Sequence, residues 1–255
     1  MISTQYMVGG LVSRQKPGAY SDDPGTDRPF RTGRYGEAYQ IPLLSSKYGL
    51  ADEGSYFVAF NPTIDTGVAY DLIVAYAATT VAFACYNGGG RRVYLDRLKL
   101  YMTGTAPATH TVNKLVVTTD SADRTPTAGS PATATSYNVN SDDNTTAGFI
   151  VQHCTGGAAI TVPAAGANRR IVCKSSMPTS AAVLGDEYVW DFGSDVIPSA
   201  GGELTAVRAT APARFVDDCG PVIVAPAHWC LFHLYFITDT TNKATFEFEL
   251  SWWER

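Results

Sequence analysis

The chain has 255 residues, of which 45% are hydrophobic and 17% are charged, and its net charge at pH 7 is −5. Since the charged fraction lies below the usual value of roughly 25%, Thr, Ser, Asn and Gly must keep the surface soluble. The acidic balance and the scattered Lys and Arg side chains argue against direct nucleic-acid binding, which requires clustered cations. The length suits one large β-domain with an appendage.

The chain begins MISTQY and lacks the basic and apolar regions of a secretory signal, and it has no run of about 18 apolar residues that could span a bilayer. We therefore expect a protein with no membrane partner that is synthesised in the cytoplasm and stays there until it is assembled or released. Its five cysteines are widely spaced, with no C-x-x-C pair. This pattern favours reduced, buried thiols over disulfides or a metal site.

Residues 1–42 are rich in Gly, Pro, Arg and Tyr and show no sustained helical or strand periodicity, so this segment cannot bury a face by itself. Two interpretations stay open: a loosely ordered tail, or an extended N-terminal arm that lies on a neighbouring subunit. Because Tyr and Arg are favoured anchors at interfaces, the arm interpretation predicts a set of contact residues. These are Arg14, Tyr20, Arg28, Phe30, Arg31, Arg34, Tyr35 and Tyr39.

From residue 43 to residue 255, short apolar runs recur between turn signals, which is typical of a sandwich or barrel. We predict an all-β domain, an antiparallel β-sandwich without a long amphipathic helix. Strand order is not encoded in local periodicity, so the pattern alone leaves the topology open. Strands are predicted at residues 56–60, 69–76, 81–86, 93–102, 111–119, 149–154, 169–173, 188–192, 203–208, 222–224, 229–237 and 244–253.

The last two predicted strands differ in their pattern. Residues 244–253 alternate between apolar and polar side chains, so one face packs on the core and the other meets water. Residues 229–237 are apolar on both faces, which predicts a central strand covered on both sides. The intervening sequence TDTTN has the composition of a hairpin loop, so we expect these two strands to be antiparallel neighbours.

Three further features concern the middle of the chain. In residues 93–102 the alternation shifts phase, which predicts a β-bulge near Asp96 or Arg97. The glycines at 88–90 predict a hairpin turn that joins this strand to the one before it. Residues 103–148 are rich in Thr, Ala, Ser and Pro and are expected to form long surface loops, interrupted by one strand at 112–117.

No motif predicts catalysis, a cofactor or a metal. His228 and His233 fall on opposite faces of one strand, so they cannot converge on zinc. The G-x-S-x-G motif of serine hydrolases is absent, and Glu247 and Glu249 fit a solvated strand face better than a glycosidase pair. The amide-rich and acidic run at 138–144 lacks the ligand spacing of a calcium loop and is expected to form a solvated turn. We therefore expect a structural or binding protein and not an enzyme.

The most informative aromatic residue is Trp253. Most of the Tyr, Phe and Trp side chains alternate with polar residues inside predicted strands, so they belong to the core. Trp253 instead falls on the polar face, opposite Trp252. An exposed Trp at the end of a strand indicates an interface between subunits, or a covered edge.

The arm, the Thr/Ala/Gly-rich β-domain and the segments GRYGEAY (33–39), YLDRLK (94–99), WCLFHLYF (229–236) and FEFELSWW (246–253) together resemble the virion structural proteins of tailed double-stranded-DNA bacteriophages. The resemblance is to their jelly-roll decoration, or cement, proteins in particular. It implies a jelly-roll sandwich that forms a homotrimer on the capsid surface, with the major capsid protein as its partner. No individual residue is carried over from it.

Other functions stay open at this level. A head-fibre or tail-associated protein would bind a host receptor or glycan, with the loops at 103–148 as its recognition surface. The chain could also be the main coat subunit of a jelly-roll virus, or a sugar-binding module or glycan-active enzyme outside any virion.

Overall fold

A computed structural model describes residues 51–63, 66–70, 76–104, 112–155, 159–178, 183–193, 212, 214–237 and 244–255. Within these ranges the regular structure is β-strand, apart from two helical residues at 51–52. The strands are β1 (Tyr56–Phe60), β2 (Val68–Tyr70), β3 (Thr80–Val81), β4 (Phe83–Asn87), β5 (Val93–Met102), β6 (Val112–Asp120), β7 (Ala132–Thr133), β8 (Ser136–Asn138), β9 (Phe149–His153), β10 (Ile160–Thr161), β11 (Arg170–Pro178), β12 (Glu187–Phe192), β13 (Arg214–Cys219), β14 (Ile223–Val224), β15 (Trp229–Ile237) and β16 (Ala244–Glu254).

The strands form an eight-stranded and a six-stranded sheet with jelly-roll topology. The eight-stranded sheet contains the order β12-β5-β16-β1, and the six-stranded sheet contains the order β11-β6-β15-β4. If these eight strands are counted along the chain, the first, third, sixth and eighth form one sheet and the other four form the second. The chain therefore changes sheet at every connection between them except that from β6 to β11. This alternation defines the jelly roll and confirms the predicted all-β sandwich.

Aromatic side chains join the inner faces of the two sheets into one core. Phe83 on β4 meets Phe248 on β16 edge to face, with ring centroids 5.0 Å apart, and Phe149 on β9 meets Trp252 at 5.4 Å. Trp190 and Trp252 are fully buried. Such edge-to-face pairs add to the stability that area burial provides. The core is therefore built from every second residue of these strands, on the side that carries the apolar side chains.

β15 is covered on both sides, as its apolar sequence predicts. Its inner face contributes Phe232 to the core, and its outer face is covered by the segment around β3. There, the Nδ1 atom of His233 lies 3.0 Å from the carbonyl oxygen of Thr80, and the rings of His233 and Tyr76 are 4.9 Å apart. β3 pairs with β10 in a separate two-stranded sheet. The segment around this small sheet covers the outer face of β15 near His233.

Two predicted hairpins are wrong. β15 lies in the six-stranded sheet and β16 in the eight-stranded sheet, so these consecutive strands are not hydrogen-bonded neighbours. Likewise, β4 and β5 lie in different sheets, and the glycines at 88–90 carry the chain across the sandwich. Loop composition indicates a turn but does not specify whether the next strand pairs with the previous one or packs across from it. Here packing across the core is favoured because both strands carry a large apolar face.

The β-bulge in β5 is confirmed and lies at Asp96. Ser251 pairs with Arg97 and Trp252 pairs with Leu95, so the strand register between β5 and β16 passes over Asp96. Both Leu95 and Asp96 are buried. The inserted residue restores the alternation on either side, so that apolar side chains from both halves of β5 point into the core.

Most other strand predictions are confirmed, within one or two residues at most ends. The predicted strand at 81–86 is divided between β3 and β4, and β11 runs five residues further than predicted, to Pro178. The loop region at 103–148 contains two short strands that were not predicted, β7 and β8, and each extends one of the two main sheets. β10 and β13 were also missed. The predicted strand at 203–208 lies outside the described residues, as do residues 71–75 of the strand predicted at 69–76.

Candidate functional site

The outer face of the eight-stranded sheet carries a row of large apolar side chains at one end. In the strand register, Ile223 on β14 pairs with Tyr94 on β5, Tyr94 pairs with Trp253 on β16, and Trp253 pairs with Tyr56 on β1. The rings of Tyr94 and Trp253 are stacked, with centroids 5.7 Å apart and planes 6° apart. Cross-strand pairs of this kind fix the side chains on a regular sheet surface. The row is therefore a flat and ordered apolar surface.

Further apolar side chains on β1 and β8 flank this row. Tyr137 is 55% exposed, and its ring centroid lies 6.4 Å from that of Phe60, which is 40% exposed. Val139 and Ile223 are each 48% exposed. Contiguous exposed apolar surface on a soluble domain usually marks an interaction site. We call this surface the aromatic face, and its members are Tyr56, Phe60, Tyr94, Tyr137, Val139, Ile223 and Trp253.

The buried carboxylate of Asp96 holds Tyr56, one member of the aromatic face, in place. The hydroxyl of Tyr56 donates a hydrogen bond to the carboxylate of Asp96, the bulge residue, over 2.6 Å, and Ser251 donates a second one over 3.3 Å. Burial raises the pKa of Tyr56 well above its ordinary value, and the hydrogen bond to Asp96 adds to this effect. The phenol therefore stays neutral, and its ring is held in a single orientation. The bulge thus contributes directly to the order of the surface.

Beside the aromatic face, the same sheet face carries a cluster of ion pairs. The Nε atom of Arg97 lies 2.6 Å from Asp191, and Lys99 and Arg214 each lie 3.4 Å from Glu187. Partly exposed pairs of this kind contribute little to stability. Their position beside the aromatic face instead resembles the polar rim that surrounds the apolar centre of protein interfaces.

The interface residues predicted from the sequence are placed only in part. Trp253 is on the outer face, as predicted, but it is half-buried because its ring lies against Tyr94. Arg14, Tyr20, Arg28, Phe30, Arg31, Arg34, Tyr35 and Tyr39 all lie outside the described residues. The other members of the aromatic face were not predicted: Tyr56, Phe60, Tyr94, Tyr137, Val139 and Ile223. The only signal for them is an apolar residue on the polar side of a strand, which is common enough that no single case stands out.

The histidines do not assemble into a catalytic or metal centre within the described residues. His153 lies in the core, where its Nδ1 atom donates to the carbonyl oxygen of Cys154 over 2.8 Å and its ring contacts Phe248. His233 lies on the opposite side of the six-stranded sheet. No group of three His, Cys, Asp or Glu side chains in the described ranges could hold a metal ion. All five cysteines are buried with free thiols, as their spacing predicts.

The run at 138–144 forms consecutive turns closed by its own side chains. Asn138 accepts a hydrogen bond from the amide of Asn140, and Asn140 accepts one from the amide of Asp142, each over 3.0 Å. The amide nitrogen of Asn138 also donates to the carbonyl oxygen of Gly54. These oxygens are thus used within the turn.

Glu247 and Glu249 lie on the outer face of β16, where they are half-buried and not fully solvated as expected. Glu249 pairs with Lys99, and Glu247 pairs with Tyr101 in the strand register. Their register partners on β5 have long side chains, which the sequence of β16 alone does not reveal.

Comparison with known proteins identifies no relative of this chain. No protein-family model, no curated protein and no solved structure matches it. In the described part of the chain, no helix combines the length and the hydropathy needed to cross a bilayer.

Proposed function

We propose that the protein is a virion structural protein, a decoration or cement protein that binds the major capsid protein on the outside of a capsid shell and stabilises it. The observation that carries this proposal is the aromatic face, an ordered apolar surface on rigid strands with an ion-paired rim. A protein that reinforces a shell needs a binding surface and no reaction centre. The sequence resemblance to phage decoration proteins supports the same function.

The rigidity of the aromatic face favours tight binding. Its side chains project from paired strands, and Trp253 and Tyr94 already stack on each other in the isolated chain. Little side-chain entropy is therefore lost when a partner covers them, and this loss is a principal cost of association. Aromatic residues at the centre of an interface, with charged pairs around them, are also the arrangement in which binding energy is concentrated.

The jelly roll is compatible with this function but does not by itself specify it, because viral capsid proteins and lectins share the topology. In the proposal, the protein forms a homotrimer on the capsid surface, and residues 1–42 extend onto a neighbouring subunit. The alternative is a head-fibre or tail-associated protein that binds a host receptor or glycan. Copy number separates the two, because a shell protein is repeated across the lattice and a fibre is not.

The first test is quantitative mass spectrometry of purified virus particles from the culture in which the protein is made. We expect copies of this chain in a fixed ratio of the order of one per capsid subunit, or one per few subunits. A handful of copies per particle would overturn the decoration proposal in favour of a fibre or tail protein. Absence from the particles would overturn any virion function.

The second test addresses the surface. Tyr137→Asp and Ile223→Asp each place a charge on an exposed position of the aromatic face, where it cannot be buried against a partner without a large desolvation cost. We expect both variants to fold and to lose binding to shells that lack the protein. The matched control is Ile171→Asp, on the six-stranded sheet, where Ile171 is 56% exposed. Equal binding by all three variants would contradict the proposed surface.

A further inference from the structure

A groove on the outer face of the six-stranded sheet combines an apolar floor with a polar wall. It has a volume of about 480 Å³, within the range of small-molecule binding sites. Its floor is one cross-strand row in which Ile150 on β9 pairs with Tyr86 on β4 and Tyr86 pairs with Trp229 on β15. The groove therefore lies on the opposite side of the sandwich from the aromatic face, and its occupancy is separable from shell binding.

The floor presents the ring of Tyr86 in a fixed position. The ring centroids of Tyr86 and Trp229 are 4.9 Å apart. Trp229 is only 7% exposed, whereas Tyr86 is half-buried and Ile150 is 44% exposed. Tyr86 and Ile150 thus supply the accessible apolar surface, and Trp229 supports the tyrosine from the side.

The wall consists of alternate residues of the segment that follows β6. Ser121, Asp123 and Thr125 are exposed and line the groove, whereas Arg124 between them is fully buried. The carboxylate of Asp123 accepts hydrogen bonds from the amide and the hydroxyl of Thr125, over 2.9 and 2.6 Å. The wall is held in place because Arg124 is anchored in the protein by its pair with Asp120.

The chemistry of the lining indicates the class of ligand. Gln152 presents an amide beside the apolar floor, and the wall adds two hydroxyls and one carboxylate. These groups can donate to and accept from several hydroxyls of one ligand. An aromatic ring beside them offers its face to the C–H surface of a sugar ring. We propose that this groove binds a neutral carbohydrate.

The charge of the lining favours a neutral carbohydrate over an anionic or a cationic ligand. None of the described residues that line the groove is basic, so a phosphate, sulfate or sialic acid would have no cation to pair with. A cationic ligand would use Tyr86 and Asp123 alone. It would leave the amide of Gln152 and the hydroxyl of Ser121 without a function, whereas a polyhydroxylated ring uses all of these groups.

The test uses the full chain, fluorescently labelled, on an array of immobilised neutral glycans with matched sialylated and sulfated glycans. We expect binding to a subset of neutral glycans, with a Kd of about 1 mM for the free sugar by saturation-transfer NMR. Asp123→Ala and Gln152→Ala remove one polar group each from exposed or half-exposed positions. Each variant is expected to keep its fold and to weaken binding about tenfold.

The control is Tyr101→Ala, which removes a tyrosine that is 42% exposed on the eight-stranded sheet, outside the aromatic face, and should leave glycan binding unchanged. The proposal is overturned if no neutral glycan binds, or if the Kd is the same in wild type, Asp123→Ala and Gln152→Ala. It is also overturned if choline, added as a cationic probe, binds at this groove more tightly than any neutral sugar.

Discussion

The Nη1 atom of Arg124 lies 2.9 Å from the carboxylate of Asp120, four residues earlier, and neither side chain has any exposed surface. The same carboxylate accepts hydrogen bonds from the amides of Ala122 and Gly166, and Arg124 also donates to the carbonyl oxygen of Ala78 over 2.5 Å. Burial acts to raise the pKa of Asp120, but these donors outweigh it and lower the pKa. The pair therefore joins three segments that lie over the outer face of the six-stranded sheet.

Removal of Arg124 is expected to be strongly destabilising. Arg124→Met keeps the apolar stem but leaves the carboxylate of Asp120 buried without its cation, at a cost of about 3–5 kcal/mol in the free energy of unfolding. Urea denaturation measures the loss. Asp120→Asn combined with Arg124→Met should lose clearly less than the sum of the two single variants, because neither charge is left unpaired. Additive losses would contradict a direct coupling between the two residues.

Glu254 is expected to hold the two sheets together at one end. Its carboxylate accepts hydrogen bonds from the amides of Gly148 and Phe149, each over 3.0 Å, and from the indole of Trp252 over 3.1 Å. Glu254→Gln removes the charge and replaces one acceptor oxygen with a donor, so we expect a loss of about 2 kcal/mol in the free energy of unfolding. The control is Glu249→Gln on the same strand, and an equal loss in both variants would contradict the prediction.

Stability is expected to fall between pH 6.5 and pH 4 because of His233. Burial lowers the pKa of His233 to about 4, and the charges of Arg124 and Arg169 add to this. In the unfolded chain the pKa is near 6.5. As the pH falls, the unfolded state therefore binds a proton at a higher pH than the folded state does. The free energy of unfolding keeps its full value above about pH 6.5 and decreases by about 3 kcal/mol as the pH falls towards 4. The free energy of unfolding, measured at several pH values, should fall less steeply in His233→Gln, and an unchanged slope would refute this origin.

The thiols are expected to be unreactive until the protein unfolds. Burial raises the pKa of Cys85 and of Cys230. Cys219 donates a hydrogen bond to the sulfur of Cys173, which raises the pKa of Cys219 and lowers that of Cys173. We therefore expect all five thiols to react promptly with an aromatic disulfide reagent in denaturant. In the native protein the reaction should be slow and begin at Cys173, and rapid modification of several native thiols would contradict the burial of these side chains.

The sequence predicts the strands far better than their arrangement. Alternation in residues 244–253 identifies which face of β16 is buried, and the phase shift in residues 93–102 correctly locates the bulge. Neither pattern reports which strand lies alongside, so β15 and β16 were wrongly expected to pair. β7 and β8 were missed because edge strands of two and three residues, AT and SYN, are too short to show an apolar alternation.

The sequence could indicate at most single residues of the two candidate sites, and not the sites as a whole. The aromatic face joins Tyr56, Tyr94, Ile223 and Trp253 from four strands that are distant in the sequence, and only Trp253 stood out, because it follows another Trp. The groove depends on the alternation of 121, 123 and 125 around a buried Arg124. A buried arginine in a Ser/Thr/Ala-rich segment cannot be distinguished from a solvated one until the fold is known.

The position of β16 between β1 and β5 has a consequence for how the chain folds. Phe57 pairs with Trp252, so almost the whole described chain separates the two partners. The entropy of closing so long a loop is lost before the contact stabilises anything, and such topologies fold on the order of milliseconds to seconds. Until β16 arrives, β1 and β5 each expose an unpaired apolar edge that a second chain could occupy. In the native sheet, β16 covers one edge each of β1 and β5, which removes both edges as sites for pairing with another chain.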